Sequence, residues 1–182
     1  MLIWNVASRG SRNHVEFILQ GHKRAVSDVH WSPFHSDVLA TCSYDTYIHL
    51  WDMRISTEKP CNSFCAWTAG ATQVKWNRLN EWIFASSHDT DARIWDIRKG
   101  SSSMTLITAH MKKVYGIDWS RIHERELITC SQDGLVKVFF VYLSCLTLGS
   151  FGITRNRGHV RPRSILDPPF GELDSHLLVI TL

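Results

Sequence analysis

The sequence predicts an all-β chain assembled from repeated four-stranded antiparallel sheets, and three observations carry that prediction. Trp51-Asp52 is followed 44 residues later by Trp95-Asp96, and the next step of that size lands on Phe139-Phe140. Asp45, Asp89 and Asp133 keep the same interval, and Trp31, Trp76 and Trp119 nearly keep it. Between these markers, short runs alternate apolar with polar residues, the period of half-buried strands rather than of helices. A repeat of roughly 40–45 residues, opened by Gly-His and closed by Trp-Asp, is the mark of four-stranded β-propeller blades. The expected fold is a partial β-propeller of about three such blades plus strands of flanking blades.

Taken in order, residues 2–5 and 14–20 read as the third and outer strands of a preceding blade, so that 1–20 is the end of that unit. The first complete repeat, 21–67, has expected strands at 25–31, 38–43, 47–52 and 63–67. Ser32-Pro33 and Tyr44-Asp45 supply turn chemistry between them. The second, 68–108, has strands at 72–76, 82–87, 92–96 and 104–108. The third, 109–140, has them at 114–119, 126–131 and 135–140. Beyond Phe140 the period fades. Residues 141–182 are a divergent tail that holds an Arg-rich loop (Arg155, Arg157, Arg161, Arg163). Pro169-Phe170 and 177–181 read as the first half of a fourth repeat. A closed ring of six or seven blades needs roughly 250–320 residues at this period. The expectation is therefore either that a partner chain completes the ring or, as the loss of Trp-Asp at Phe139-Phe140 favours, that the chain is a truncated product.

Composition narrows the functional classes. The 182 residues are 44% hydrophobic with eight Trp, enough to bury a core, and 20 basic against 17 acidic residues leave a net charge of +3. That excess is too small to argue for nucleic acid. The five Cys do not suggest a disulfide framework, and a reducing compartment fits them. Cys42 and Cys130 occupy one strand position of two repeats, whereas Cys61 and Cys65 lack further ligands at zinc spacing. No secretory signal follows Met1, and the apolar run 135–148 contains Lys137 and is too short to span a bilayer.

The polar residues that recur with the repeat suit a buried hydrogen-bond chain. A carboxylate accepts from an imidazole, the imidazole from a hydroxyl, and the hydroxyl from an indole N–H; such burial is tolerable when every member is paired. His22, Thr41, Asp45 and Trp51 supply the full set. His110, Thr129 and Asp133 supply three members, with Phe139 in the indole's place. The middle repeat keeps Asp89 and Trp95, puts Ala85 at the hydroxyl position and has no His in its opening loop. A hydroxyl–His–Asp combination invites a hydrolase reading. Recurrence with the structural period, and the lack of a G-x-S-x-G elbow, argue against it. No catalytic residue, cofactor site or metal site is expected.

Binding surfaces remain. The rim shared by the outer-to-inner and second-to-third strand loops carries Lys23, Arg24, Tyr44, His88, Lys112, Lys113 and Gln132 as candidate partner contacts, since loops on a rigid scaffold are where binding residues concentrate. Two repeats end in Trp-Asp-x-Arg, placing Arg54 and Arg98 either to brace the opposite rim or to hook a partner carboxylate.

From 2 to about 138 these residues resemble the WD-repeat family. The strings DTYIHLWDMR, AGATQVKWNRLNEWIFASSHDTDARIWDIRK and AHMKKVYGIDWS resemble, more narrowly, the WD-repeat subunits of the GATOR assembly. That resemblance implies a non-catalytic scaffold, docking other protein subunits of a complex that relays amino-acid sufficiency to the TOR kinase. It further implies a cytoplasmic protein recruited to the lysosomal surface, with no nucleic acid, membrane insertion or small-molecule substrate. The alternative, carried by Arg54 and Arg98, is a substrate receptor of a cullin-based ubiquitin ligase.

Overall fold

A computed structural model describes residues 1–4, 15–55, 58–141 and 180–181. Fourteen strands make up the secondary structure of these residues, and they form four antiparallel sheets. Sheet I holds β1 (Leu2–Trp4) and β2 (Val15–Ile18), with the Met1 ammonium donating to the Leu19 carbonyl at 2.8 Å. Sheet II runs β3 (Val26–Trp31), β4 (Val38–Ser43), β5 (Tyr47–Asp52) and β6 (Asn62–Cys65), in chain order across the sheet. Sheet III repeats this with β7 (Gln73–Trp76), β8 (Ile83–His88), β9 (Asp91–Asp96) and β10 (Thr105–Thr108). Sheet IV has β11 (Val114–Trp119), β12 (Glu126–Ser131), β13 (Val136–Phe140) and β14 (Ile180–Thr181). β14 pairs with β13 as the outermost strand of sheet IV, so residues 180–181 stand as the fourth strand of the third blade, not as the second strand of a fourth repeat; Pro169-Phe170 and 177–179 lie outside the described residues.

The sheets stack face to face, and each interface is a separate apolar layer. Leu19, Leu39 and Trp51 join sheets I and II. Ala40, Cys42, Ile48 and Phe64 of sheet II meet Val74, Trp76, Phe84 and Trp95 of sheet III. Ile83, Ile94 and Ile107 of sheet III meet Val114, Trp119, Leu127 and Phe139 of sheet IV. Because β8 is covered on both sides, all six of its residues are buried, and its sequence IFASSH shows no clean alternation. Each fully buried Phe or Ile here stabilises by about 1.5–3 kcal/mol. The observed arrangement is an all-β partial propeller.

The innermost strands are laced by side chains. Asp28 on β3 accepts from the Val74 amide at 3.2 Å and from Lys75 Nζ at 2.7 Å, and His30 Nδ1 accepts from the Trp76 amide at 3.1 Å. One sheet further on, Gln73 Oε1 accepts from the Ile117 amide at 2.9 Å. Asp28 and Gln73 both stand three residues before the strand-ending Trp, so one position does this work in successive repeats.

Candidate functional site

Beneath one rim of sheet II the expected chain forms in full. The Trp51 indole donates to Thr41 Oγ1 at 2.9 Å, and His22 Nε2 lies 2.8 Å from the same oxygen. The Asp45 carboxylate only accepts, so His22 carries its proton on Nδ1, 3.1 Å from Asp45 Oδ2, and the neutral imidazole accepts the threonine proton at Nε2. Asp45 also accepts the amides of Lys23 at 2.8 Å and Tyr47 at 3.0 Å. Burial acts to raise the Asp45 carboxyl, but these two amides and His22 outweigh it and hold it below the usual range. Burial lowers His22 despite its carboxylate partner, which leaves a neutral imidazole. The chain fastens the opening loop and the β4–β5 turn to the buried Trp51. A cavity of about 350 Å³, lined in part by Leu19, His22, Thr41 and Trp51, adjoins it at the seam with sheet I.

Sheet IV builds the three-membered version. His110 Nε2 lies 2.7 Å from Thr129 Oγ1, its Nδ1 lies 2.9 Å from Asp133, and buried Phe139 stands where the indole was. The Asp133 carboxyl is held at about 2, burial notwithstanding, by the Leu135 amide, His110 and the Met111 amide.

Sheet III departs from the sequence reading in three ways. Its hydroxyl is Ser86, not Ala85: Trp95 Nε1 donates to Ser86 Oγ at 2.8 Å. Its imidazole is His88, only 1% exposed and therefore not a contact on the open rim. His88 Nε2 sits 2.7 Å from Ser86 Oγ, and its Nδ1 donates to the Ala69 carbonyl at 3.0 Å. Asp89, expected as the acid, stays outside the chain on the exposed turn, and the backbone carbonyl takes its part. The cause is register. β8 and β9 pair as far as His88 and Asp91, leaving the two-residue turn Asp89-Thr90, whereas the other hairpins stop at Cys42–Ile48 and Cys130–Val136. Ser86 thereby faces Arg93 as Thr41 faces His49 and Thr129 faces Lys137. The step of 45 from Trp31 to Trp76 was the sequence signal for this shift. Burial pushes His88 down to about 4.

The remaining rim residues divide. Lys23, Arg24, Tyr44, Lys112 and Gln132 are exposed and Lys113 half-buried, with Arg24 Nη1 donating to the Tyr44 carbonyl at 3.2 Å. On the opposite rim, Arg54 grips its own Asp52 through Nε at 2.9 Å and Nη2 at 2.6 Å. Arg98 does the same to Asp96 at 2.9 and 2.8 Å and lies 5.1 Å from the Trp82 ring centre. Cys61 is exposed and Cys65 buried beside Thr46 Oγ1. The residue that sequence reasoning misplaced on this surface is Trp67. It was expected to end an outer strand, but β6 stops at Cys65 and Trp67 stands 81% exposed in the following loop. Its step relation to Lys23 and Met111, each 44 residues away, was the available signal.

Among known proteins, the WD domain, G-beta repeat family matches residues 13–52, 58–96 and 100–139. Each matched segment runs from the outer strand of one sheet through the third strand of the next. Maintenance of telomere capping protein 5 of Saccharomyces cerevisiae is 43% identical over 171 residues, 94% of this chain and 14% of that protein. The GATOR2 complex protein Wdr59 of Drosophila melanogaster is 47% identical over 70% of this chain and 13% of its own length. The human GATOR2 complex protein WDR59 is 49% identical over 63% of this chain and 12% of its own length. The chain thus spans 14% or less of these three relatives.

Proposed function

The chain belongs to the WD-repeat family, and on that premise we propose that it is the propeller portion of a GATOR2-type subunit. In this reading it is a non-catalytic scaffold that docks other subunits in amino-acid signalling to the TOR kinase, at the lysosomal surface. The observation that carries it is 47% and 49% identity to two GATOR2 proteins across the stacked sheets. The hydroxyl–imidazole chains support the same side, because they recur sheet after sheet as ties between loop and core. The described residues contain no helix long and apolar enough to cross a membrane. The cullin-ligase alternative would require Arg54 and Arg98 to release carboxylates that each already holds through two nitrogens. Affinity purification of the tagged full-length protein tests the proposal. GATOR2-type subunits should co-purify in stoichiometric amounts, and their consistent absence removes the reading.

A further inference from the structure

The loop from β6 to β7 holds a bulky aromatic residue in a conformation that costs stability and gains no burial. Thr68 donates its amide to the Ala66 carbonyl at 2.7 Å, closing a three-residue turn around Trp67, whose φ is 61°. A positive φ at the centre of such a turn is the rare, strained form, and a residue with a large side chain avoids it. The indole is 81% exposed, so no core contact offsets the strain.

The surrounding structure fixes this turn from several sides. Arg93, on β9 of the neighbouring sheet, donates through Nη1 to the Ala66 carbonyl at 2.7 Å and through Nη2 to Thr68 Oγ1 at 2.5 Å, bracketing Trp67 from both flanks. The Ala66 amide bonds the Thr46 carbonyl at 3.0 Å, and the Ala71 amide bonds Ser43 at 3.0 Å. Gly70 lies so close to the β4–β5 turn that a Cβ there would stand 2.7 Å from Tyr44 Cα. Sheets II and III are both in place on either side, so the exposure does not arise at an end of the stack. An over-determined strained turn is the signature of a site held ready for use.

We infer that Trp67 is a pre-organised anchor for a protein segment carrying carboxylates around an apolar side chain. This rests on the scaffold reading and names the chemistry of the partner. Tryptophan on a rigid loop is a favoured hot-spot residue because little entropy remains to be lost on contact. The positions one repeat to either side are exposed Lys23 and Met111, the latter 88% exposed. Tyr44, 41% exposed, and the cations Arg24, Lys112 and Lys113 complete the rim. Of its carboxylates, Asp45 and Asp133 are occupied by histidine and backbone amides, leaving Asp89 as the exposed acid of the turns. Cations and an indole thus face outward together, which suits an acidic peptide.

The test uses the full-length protein with a photo-cross-linking p-benzoylphenylalanine at position 67 in cells, followed by sequencing of the captured segment. A synthetic peptide of that segment, and its twin with every Asp and Glu changed to Asn and Gln, are then titrated against wild-type protein and Trp67→Gly. Glycine accepts the positive φ freely, so Trp67→Gly should unfold at the same temperature as wild type or higher. It should also bind the acidic peptide at least about tenfold more weakly, and the amide twin should lose as much against wild type. Absence of any protein cross-link, capture of only nucleic acid, lipid or a non-acidic segment, or peptide affinity unchanged in Trp67→Gly overturns the inference. Equal recovery of GATOR2-type subunits by both proteins, with peptide binding unchanged, removes the anchor and leaves the scaffold reading standing. A cross-linked acidic segment from a protein outside any such complex, with GATOR2-type subunits consistently absent from the purified material, supports the anchor and removes the scaffold reading.

Discussion

Replacing Ser86 by alanine is the sharpest test of the rewired chain in sheet III. The hydroxyl has no exposure; it accepts from Trp95 Nε1 at 2.8 Å and donates to His88 Nε2 at 2.7 Å. Alanine fits the space with the loss of one oxygen, so the cavity contribution is small. The cost comes from stranding two buried polar groups, each worth about 1–3 kcal/mol when left unpaired. The sum is about 2–6 kcal/mol, and in a chain of this size each kcal/mol moves the unfolding temperature by about 2–4 °C. A fall of about 4–24 °C is expected, read by tryptophan fluorescence or near-ultraviolet circular dichroism during heating. Trp95→Phe removes the stranded indole donor, so the double variant should cost less than the sum of the singles. A drop below about 2 °C for Ser86→Ala, or strict additivity with Trp95→Phe, would refute the assigned hydrogen bonds.

Three further outcomes follow from the same geometry. Trp51→Phe should destabilise by about 1 kcal/mol, the worth of one hydrogen bond, because Thr41 keeps His22 and sheet IV already tolerates Phe139 there; Trp51→Ala should cost about 3–5 kcal/mol, both read by denaturant titration. His88, and His49 stacked on His22 at 4.3 Å, are each pushed down to about 4, chiefly by burial. The unfolded chain therefore takes up their protons first: stability is complete above pH 6.5 and declines from 6.5 towards 4 by about 1.4 kcal/mol per unit for each histidine, a slope that His88→Gln should make shallower in melts run across that range. Gly70→Ala sets a methyl against the Tyr44 backbone, 2.7 Å from its Cα, and should lower stability by about 1–3 kcal/mol in thermal melts.

The repeat could be read from sequence because its markers are large and periodic. Trp51, Trp95 and Phe139 each stand one residue before the end of the third strand of a sheet, and each is exposed by 1% or less. His22 and His110 were legible for the same reason, since both precede the first strand and are followed by a hydroxyl at a fixed interval. Ala85 was misread because a constant step of 44 conceals a one-residue exchange between two loops. That exchange leaves the length of the repeat unchanged but turns Ser86, not Ala85, towards the Trp95 indole. Trp67 was missed for a different reason: the apolar run Phe64-Cys65-Ala66-Trp67 continues past Cys65 without a break, and only the carbonyl–amide closure of Ala66 and Thr68 ends the strand. Backbone hydrogen bonding of that kind leaves little trace in residue type.

The lacing of the innermost strands has a consequence for how such a molecule comes into being. At each observed amide lace the acceptor belongs to the sheet made earlier and the donor to the one made later: Asp28 and His30 wait for Val74 and Trp76, and Gln73 waits for Ile117. A strand leaving the ribosome therefore meets a finished template that satisfies its bare edge on arrival. For growth from the amino end, the acceptors are in place before these three inner-edge amides are made, whereas a sheet folding ahead of its predecessor would leave them unpaired. The polarity of these contacts, acceptor first and donor later, runs with the direction of synthesis.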